Sequence, residues 1–203
     1  MIFFPNTPWI IKQIYSGLTW NKSRSEKKIY LTFDDGPVPE ATPFVLEELK
    51  KFDAKATFFV IGDNVRKNPE LFNQIKQAGH SIGNHTFNHL NGWKNSQRFY
   101  LENIEKCNEL IHAPLFRPPY GRTTFNQLRE IKKQYQVIMW DVLSGDYNAA
   151  LSREKCLSNV IKNGKNGSIV LFHDSVKSYK NMSYALPKAL DFWKNEGYEI
   201  VGF

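Results

Sequence analysis

Residues 28–37 read KIYLTFDDGP, and the end of this stretch decides how the chain is read. Ile29 to Phe33 are strand formers, Asp34 and Asp35 end the run, and Gly36-Pro37 turns the backbone away. Two adjacent carboxylates repel each other. Both stay ionised only where a metal ion or a cationic side chain offsets the repulsion, so the rest of the chain must supply one.

Outward from this stretch, short β-branched and aromatic runs alternate with amphipathic helical patterns. The strand candidates are KIYLTF (28–33), ATFFV (56–60), SIGNH (81–85), LFR (115–117), QVIMWDV (136–142), GSIVLFH (167–173) and YEIVGF (198–203). Between them Val45, Leu46, Leu49 and Phe52 make one helical stripe. Leu71, Phe72, Ile75 and Ala78 make a second, bounded by Asn68-Pro69 and Gly79, and Tyr100, Ile104, Cys107 and Ile111 make a third behind Ser96. Weaker stripes follow near 124–133, 153–161 and 183–195. Seven strands alternating with about six helices imply an α/β fold of parallel βαβ units, closed into a barrel or laid out as an open doubly wound sheet. In either, the functional groups collect at the carboxyl ends of the strands.

At 203 residues the chain suits one core, so 1–203 is read as a single domain, with residues 1–27 as an N-terminal extension packed on it. The formal charge of +7 comes from scattered lysines such as Lys50-Lys51 and Lys132-Lys133 without interleaved aromatics, a solvated surface and no nucleic-acid platform. Cys107 and Cys156 fall on apolar helical stripes and are expected as buried free thiols. The start, MIFFPNTPWIIKQIY, lacks a basic head, an unbroken apolar core and a small-residue cleavage site, and no run approaches the length of a bilayer span. As written, the chain is expected to be a soluble, cytoplasmic monomer whose N-terminal aromatics pack on the domain.

The polar residues support the rim rule. Asp34 and Asp35 end the first strand, His85 and His89 follow the third, Arg117 ends the fourth, Asp146 lies past the fifth, and His173 and Asp174 end the sixth. HTFNH places His85 and His89 four apart, so that one helical turn or a tight loop aims two imidazoles at one spot. Paired histidines with an external carboxylate hold zinc and leave positions open for water and substrate. A metal answers the opening problem: one aspartate ligates it, and the other stays ionised to take a proton from water in metal-assisted hydrolysis. His80 and His112 are bystanders.

TFDDGP, HTFNH, RPPYG, WDVLSGDY and IVLFHDS, in this order, resemble the five motifs of the polysaccharide deacetylases, carbohydrate esterase family four, over roughly residues 28–203. The resemblance implies a distorted (β/α)7 barrel of parallel strands, with its site at the C-terminal rim, that removes N-acetyl groups from N-acetylglucosamine units of chitooligosaccharide or peptidoglycan type. It implies Asp35, His85 and His89 as ligands of a divalent metal, usually zinc, Asp34 as base, His173 as acid and Arg117 as the clamp on Asp34. It further implies the Tyr120 N–H, behind Pro118-Pro119, as oxyanion donor, with Leu171 and Trp140 walling a pocket for the acetyl methyl. In the fourth motif Tyr147 stands where the family usually has Trp, and Asp141 directly follows Trp140. Asp146 is the first choice to tune His173, and Asp141 the second. A cyclic amide or small N-acyl compound is the alternative substrate, and a non-catalytic glycan-binding module the alternative from another class.

Overall fold

The computed structural model describes residues 4–203. Eight strands are β1 (Lys28–Asp34), β2 (Thr57–Val60), β3 (Ser81–Asn84), β4 (Leu115–Phe116), β5 (Gln136–Val137), β6 (Val142–Leu143), β7 (Ser168–His173) and β8 (Glu199–Val201). They form one sheet in the order β5-β4-β3-β2-β1-β7-β6, every pair parallel, with β8 beside the first half of β1. The helices are α1 (Trp9–Ile14), α2 (Thr42–Lys51), α3 (Gly62–Lys67), α4 (Pro69–Gln77), α5 (Gln97–Ile111), α6 (Phe125–Ile131), α7 (Arg153–Asn163) and α8 (Tyr179–Asn195). The curled sheet is a distorted (β/α)7 barrel, as the motifs implied.

Strand alternation sorts the two faces. Ile29, Leu31 and Phe33 of β1, with Val170 and Phe172 of β7, face the helices. They pack with Met182, Ala185, Leu186, Ala189, Leu190 and Trp193, one stripe of α8. Tyr30 and Ile169 belong to an interior cluster instead, and Thr32 and Asp34 share their side of the strand. Each fully buried Leu, Ile or Phe on the helix side contributes roughly 1.5–3 kcal/mol. That stiff layer leaves the inner strand residues free to carry polar chemistry.

QVIMWDV is expected as one strand and is found as two. Ile138 N–H donates to the Phe116 carbonyl (2.9 Å), which extends the pairing of β5 with β4, whereas Asp141 N–H donates to the Ile169 carbonyl (3.0 Å), which begins the pairing of β6 with β7. Met139 and Trp140 cross between β5 and β6, the two ends of the curled sheet. The apolar pattern is the same whichever neighbour a residue pairs with, so periodicity does not reveal the switch. Helices α1 and α3, six residues each, are too short to show a stripe.

Residues 5–22 cover this junction. Thr19 N–H donates to the Val137 carbonyl (3.0 Å), Met139 N–H to the Thr19 carbonyl (2.8 Å), Thr7 N–H to the Asp141 carbonyl (3.0 Å) and Leu143 N–H to the Pro5 carbonyl (2.8 Å). Such pairing protects strand edges that would otherwise be open. The buried Asp141 carboxylate pins the N-terminal extension through Lys12 and through Arg24 (2.7 Å), and it is itself held to β7 by the Ser168 hydroxyl (2.8 Å). The expected aromatic packing holds in part: Trp20 is buried and Tyr15 stacks on Phe125 (5.3 Å between centroids), but α1 buries no residue and Trp9 is 72 % exposed, so backbone bonds and ion pairs hold that end of the extension. Residues 1–3 of the N-terminal run lie outside the described residues. Among the described residues no helix is long and apolar enough to cross a membrane.

Candidate active site at the strand ends

Asp34 ends β1, buried, and its Oδ1 accepts from Nη1 of Arg117 at 2.7 Å. Arg117 has no solvent exposure, and all three of its nitrogens are engaged. Nε donates to the Ile138 carbonyl (3.0 Å), Nη2 to the Met139 carbonyl (2.9 Å) and Nη1 also to Thr32 Oγ1 (2.9 Å). The guanidinium therefore fills the bend where QVIMWDV changes partners, and the strand break and the position of Asp34 have one cause.

Alternation would send Asp35 to the opposite face from Asp34. Asp35 instead adopts a left-handed φ of 84°, which costs a non-glycine residue about 1–3 kcal/mol. Asn64 Nδ2 donates to its carbonyl (2.7 Å) and holds the turn. Both carboxylates consequently face Nε2 of His85, Asp34 Oδ2 at 3.8 Å and Asp35 Oδ1 at 3.7 Å. Gly36 is required here, because a Cβ would fall 1.9 Å from an Asp174 carboxyl oxygen. That oxygen accepts from Thr42 Oγ1 (2.6 Å) and its partner from Gly36 N–H (3.0 Å). Burial pushes the Asp174 carboxyl up to about 8, and the Asp35 charge adds to the effect.

HTFNH is a loop and not a helical turn, with Thr86 and His89 both left-handed (φ 64° and 55°). Asn103 of α5 shapes it: its Oδ1 accepts from Phe87 N–H (2.9 Å) and Asn88 N–H (3.0 Å). His85 Nδ1 donates to the Arg117 carbonyl at 2.8 Å, so the proton sits on Nδ1 and Nε2 presents a lone pair to the aspartates. Burial pushes the His85 imidazole down to about 4, outweighing the opposing pull of Asp34, and it stays neutral at neutral pH. Burial works against ionisation of Asp35, but the imidazoles of His89, His173 and His85 outweigh it and hold its carboxyl well below the usual carboxylate range.

Donor atoms of Asp35, His85 and His89 all lie within 4.8 Å of one another. Asp35 Oδ1 is buried without a hydrogen-bond partner, although His89 Nε2 is 3.2 Å away. A buried carboxylate oxygen with nothing to accept from is costly, and a cation facing it removes the cost. Two imidazole nitrogens and one carboxylate oxygen suit a borderline-soft divalent ion such as zinc.

His173 is the register partner of Asp34 across β1 and β7. Asp146, and not Asp141, holds it: Oδ1 meets His173 Nδ1 at 2.8 Å and Oδ2 accepts the His173 backbone N–H at 2.7 Å. Burial disfavours the imidazolium, yet the Asp146 carboxylate outweighs it and raises His173 to about 9. Tyr147 packs edge-on against the His173 ring, 5.3 Å between centroids. Buried Pro119 precedes Tyr120, whose φ of 60° turns its ring onto His89 (4.6 Å between centroids). Leu171 lies between Ile169 and His173 on the inner side of β7, and the Trp140 ring closes over Gly121. Thr32 and Asn103 carry no functional signal in the sequence, whereas Asp174 is placed on the rim there without a role. Cys107 and Cys156 are buried free thiols, as expected.

Fold and site together define a hydrolase-like barrel with an Asp/His/His donor cluster between a clamped carboxylate and a carboxylate-paired histidine. A sequence model of the polysaccharide deacetylases matches residues 21–139, and the chain belongs to that family. It is 38 % identical over 191 residues to a peptidoglycan-N-acetylglucosamine deacetylase of Bacillus cereus, covering 91 % of this chain and 90 % of the relative. The crystal structure of a peptidoglycan N-acetylglucosamine deacetylase in complex with 4-naphthalen-1-yl-N-oxidanyl-benzamide superposes with a TM-score of 0.89 at 31 % identity, over 97 % of this chain and 95 % of that one. A carbohydrate esterase family four pseudoenzyme from Bacillus anthracis superposes with a TM-score of 0.82 at 27 % identity, over 91 % of this chain and 66 % of that one.

Proposed function

We propose that the protein is a metal-dependent hydrolase that removes N-acetyl groups from N-acetylglucosamine-containing glycans and releases acetate. The observation that carries this reading is the convergence of Asp35, His85 and His89 beside Asp34, with His173 directly across on the next strand. The similarity to peptidoglycan N-acetylglucosamine deacetylases supports the glycan. Asp35, His85 and His89 would hold a divalent cation, which when bound would supply Lewis acidity toward water and the acetamide carbonyl.

The protein's own groups then divide the proton work. Asp34, kept in place by Arg117, accepts the proton of the attacking water. His173, charged because Asp146 stands behind it, gives a proton to the departing amine. The N–H of Tyr120, with no acceptor among the described residues, is available to the developing oxyanion. Leu171 and Trp140 border the space for the acetyl methyl, where a small apolar pocket disfavours longer acyl groups.

The Bacillus anthracis pseudoenzyme means that the fold alone does not guarantee turnover. Here every group that the chemistry needs is present, which supports catalysis over a binding module. A panel of acetylated chitooligosaccharides, peptidoglycan fragments, a cyclic amide and small N-acyl compounds tests the substrate class. Acetate from the glycans is expected; hydrolysis of the cyclic amide with no acetate from any glycan would reverse the reading.

A further inference from the structure

The loops that carry the site continue outward into a surface that the chemistry at the centre does not use. Gly92 to Lys94 form a 3₁₀ turn just beyond His89, and Pro119 to Gly121 form another just beyond Arg117. The two are tied together: Gly92 N–H donates to the Arg122 carbonyl (3.1 Å), Gln127 Nε2 to the Gly92 carbonyl (2.9 Å) and the Trp93 indole N–H to the Thr123 carbonyl (3.0 Å). Trp93 is thus fixed in orientation while 58 % exposed. The Arg122 guanidinium carbon lies 5.0 Å from the centre of its ring.

Arg122 is exceptional in its pairing. Among the described residues Arg24, Arg66, Arg98, Arg117, Arg129 and Arg153 each meet a carboxylate, and Arg122 is the one arginine of the chain that does not. Lys94 is exposed on the same turn, and Lys177 lies over the Tyr147 ring (5.7 Å) on the His173 side. Tyr120, 59 % exposed against His89, joins the patch to the donor cluster.

A rigid exposed indole loses little side-chain freedom on binding and offers a flat apolar surface to the C–H face of a sugar ring. A guanidinium lying over that indole with no carboxylate partner in the chain has its N–H groups available for both oxygens of a ligand carboxylate. We propose that Trp93 and Arg122 form an outer subsite for a carboxylate-bearing sugar of the glycan, adjacent to the unit that is deacetylated. The proposal rests on the glycan reading above and narrows it: the preferred chain is anionic, and neutral chitooligosaccharides bind less well.

The test compares N-acetylchitotetraose with a tetrasaccharide of alternating N-acetylglucosamine and N-acetylmuramic acid, equal in length and acetylation but carrying lactyl carboxylates. Affinity is measured by calorimetry for the wild type, Arg122→Gln, Arg122→Lys and Trp93→Ala, and acetate release is followed separately. The wild type should bind the anionic chain about tenfold more tightly, the range of one charge-assisted hydrogen-bonded contact. Arg122→Gln should remove that margin by weakening the anionic ligand alone, Arg122→Lys should restore part of it, and Trp93→Ala should weaken both ligands. Equal wild-type affinities, or an Arg122→Gln loss that is the same for both ligands, would overturn the subsite. Binding behaviour as expected with no acetate from either chain would keep the subsite and remove the deacetylase reading. Acetate release with no binding margin would do the reverse.

Discussion

Asp141 and Asp146 lie five residues apart on one connecting stretch and are equally buried, yet they serve different ends. Asp141 faces the side chains of Lys12 and Arg24, and it anchors the N-terminal segment over the barrel junction. Asp146 faces His173, whose charge does change, and it sets the pH at which that happens. Burial makes both aspartates consequential. The titration range of the partner decides whether a buried carboxylate acts as a clamp or as part of a proton device.

A third buried aspartate, Asp34, pairs with Arg117 beside the donor cluster, and the largest effect is expected there. Asp34→Asn should lower kcat by about 10³-fold, the scale of a lost general base, with metal affinity largely kept because Asp34 is outside the donor cluster. Steady-state kinetics alongside zinc titration checks both halves.

Asp146→Asn should act through pH. In the wild type the His173 acid is present below about 9 and lost as pH rises through that value. Without the carboxylate charge its value falls toward the ordinary histidine range, about 6.5, so the alkaline limb of the pH–rate profile should move down by roughly two units. An unmoved limb would deny Asp146 its role. Asp141→Asn should leave that limb in place and lower stability by about 1–3 kcal/mol, since Lys12 and Arg24 are partly exposed and can rehydrate. A thermal melt should show a fall of several degrees, and a shifted pH profile would erase the distinction between the two aspartates. The smallest effect is expected at Leu171→Val, where a slightly wider pocket should raise propionyl removal relative to acetyl removal by a few-fold, measured on paired N-acyl substrates.

Much of this was legible in the sequence, because strand ends, turn residues and metal-ligand types are local signals. The Asp34-Asp35 pair, HTFNH and His173 fell on one rim as soon as the strands were placed. The residue pattern alone leaves Asp146 and Asp141 open, since both follow Trp140 closely; the spacing of the family motif puts Asp146 first, and the path of the chain is what separates them. The same bend hid the division of QVIMWDV, because its cause is a buried Arg117 that reaches across from another strand. Asn103 was hidden for a related reason: on the sequence it is a polar residue in a helix, and its partners lie fifteen and sixteen residues earlier. Exposed Trp9 shows the converse error, in which apolar character was taken as burial although backbone bonds and two ion pairs already secured the segment.

The most direct test of the central claim is acetate release from N-acetylated chitooligosaccharides and peptidoglycan fragments by chelated protein, with and without added zinc, beside Asp34→Asn. Release should require the metal, and Asp34→Asn should lower it by about 10³-fold even when zinc is bound. Zinc-independent release, or full activity in Asp34→Asn, would contradict that claim.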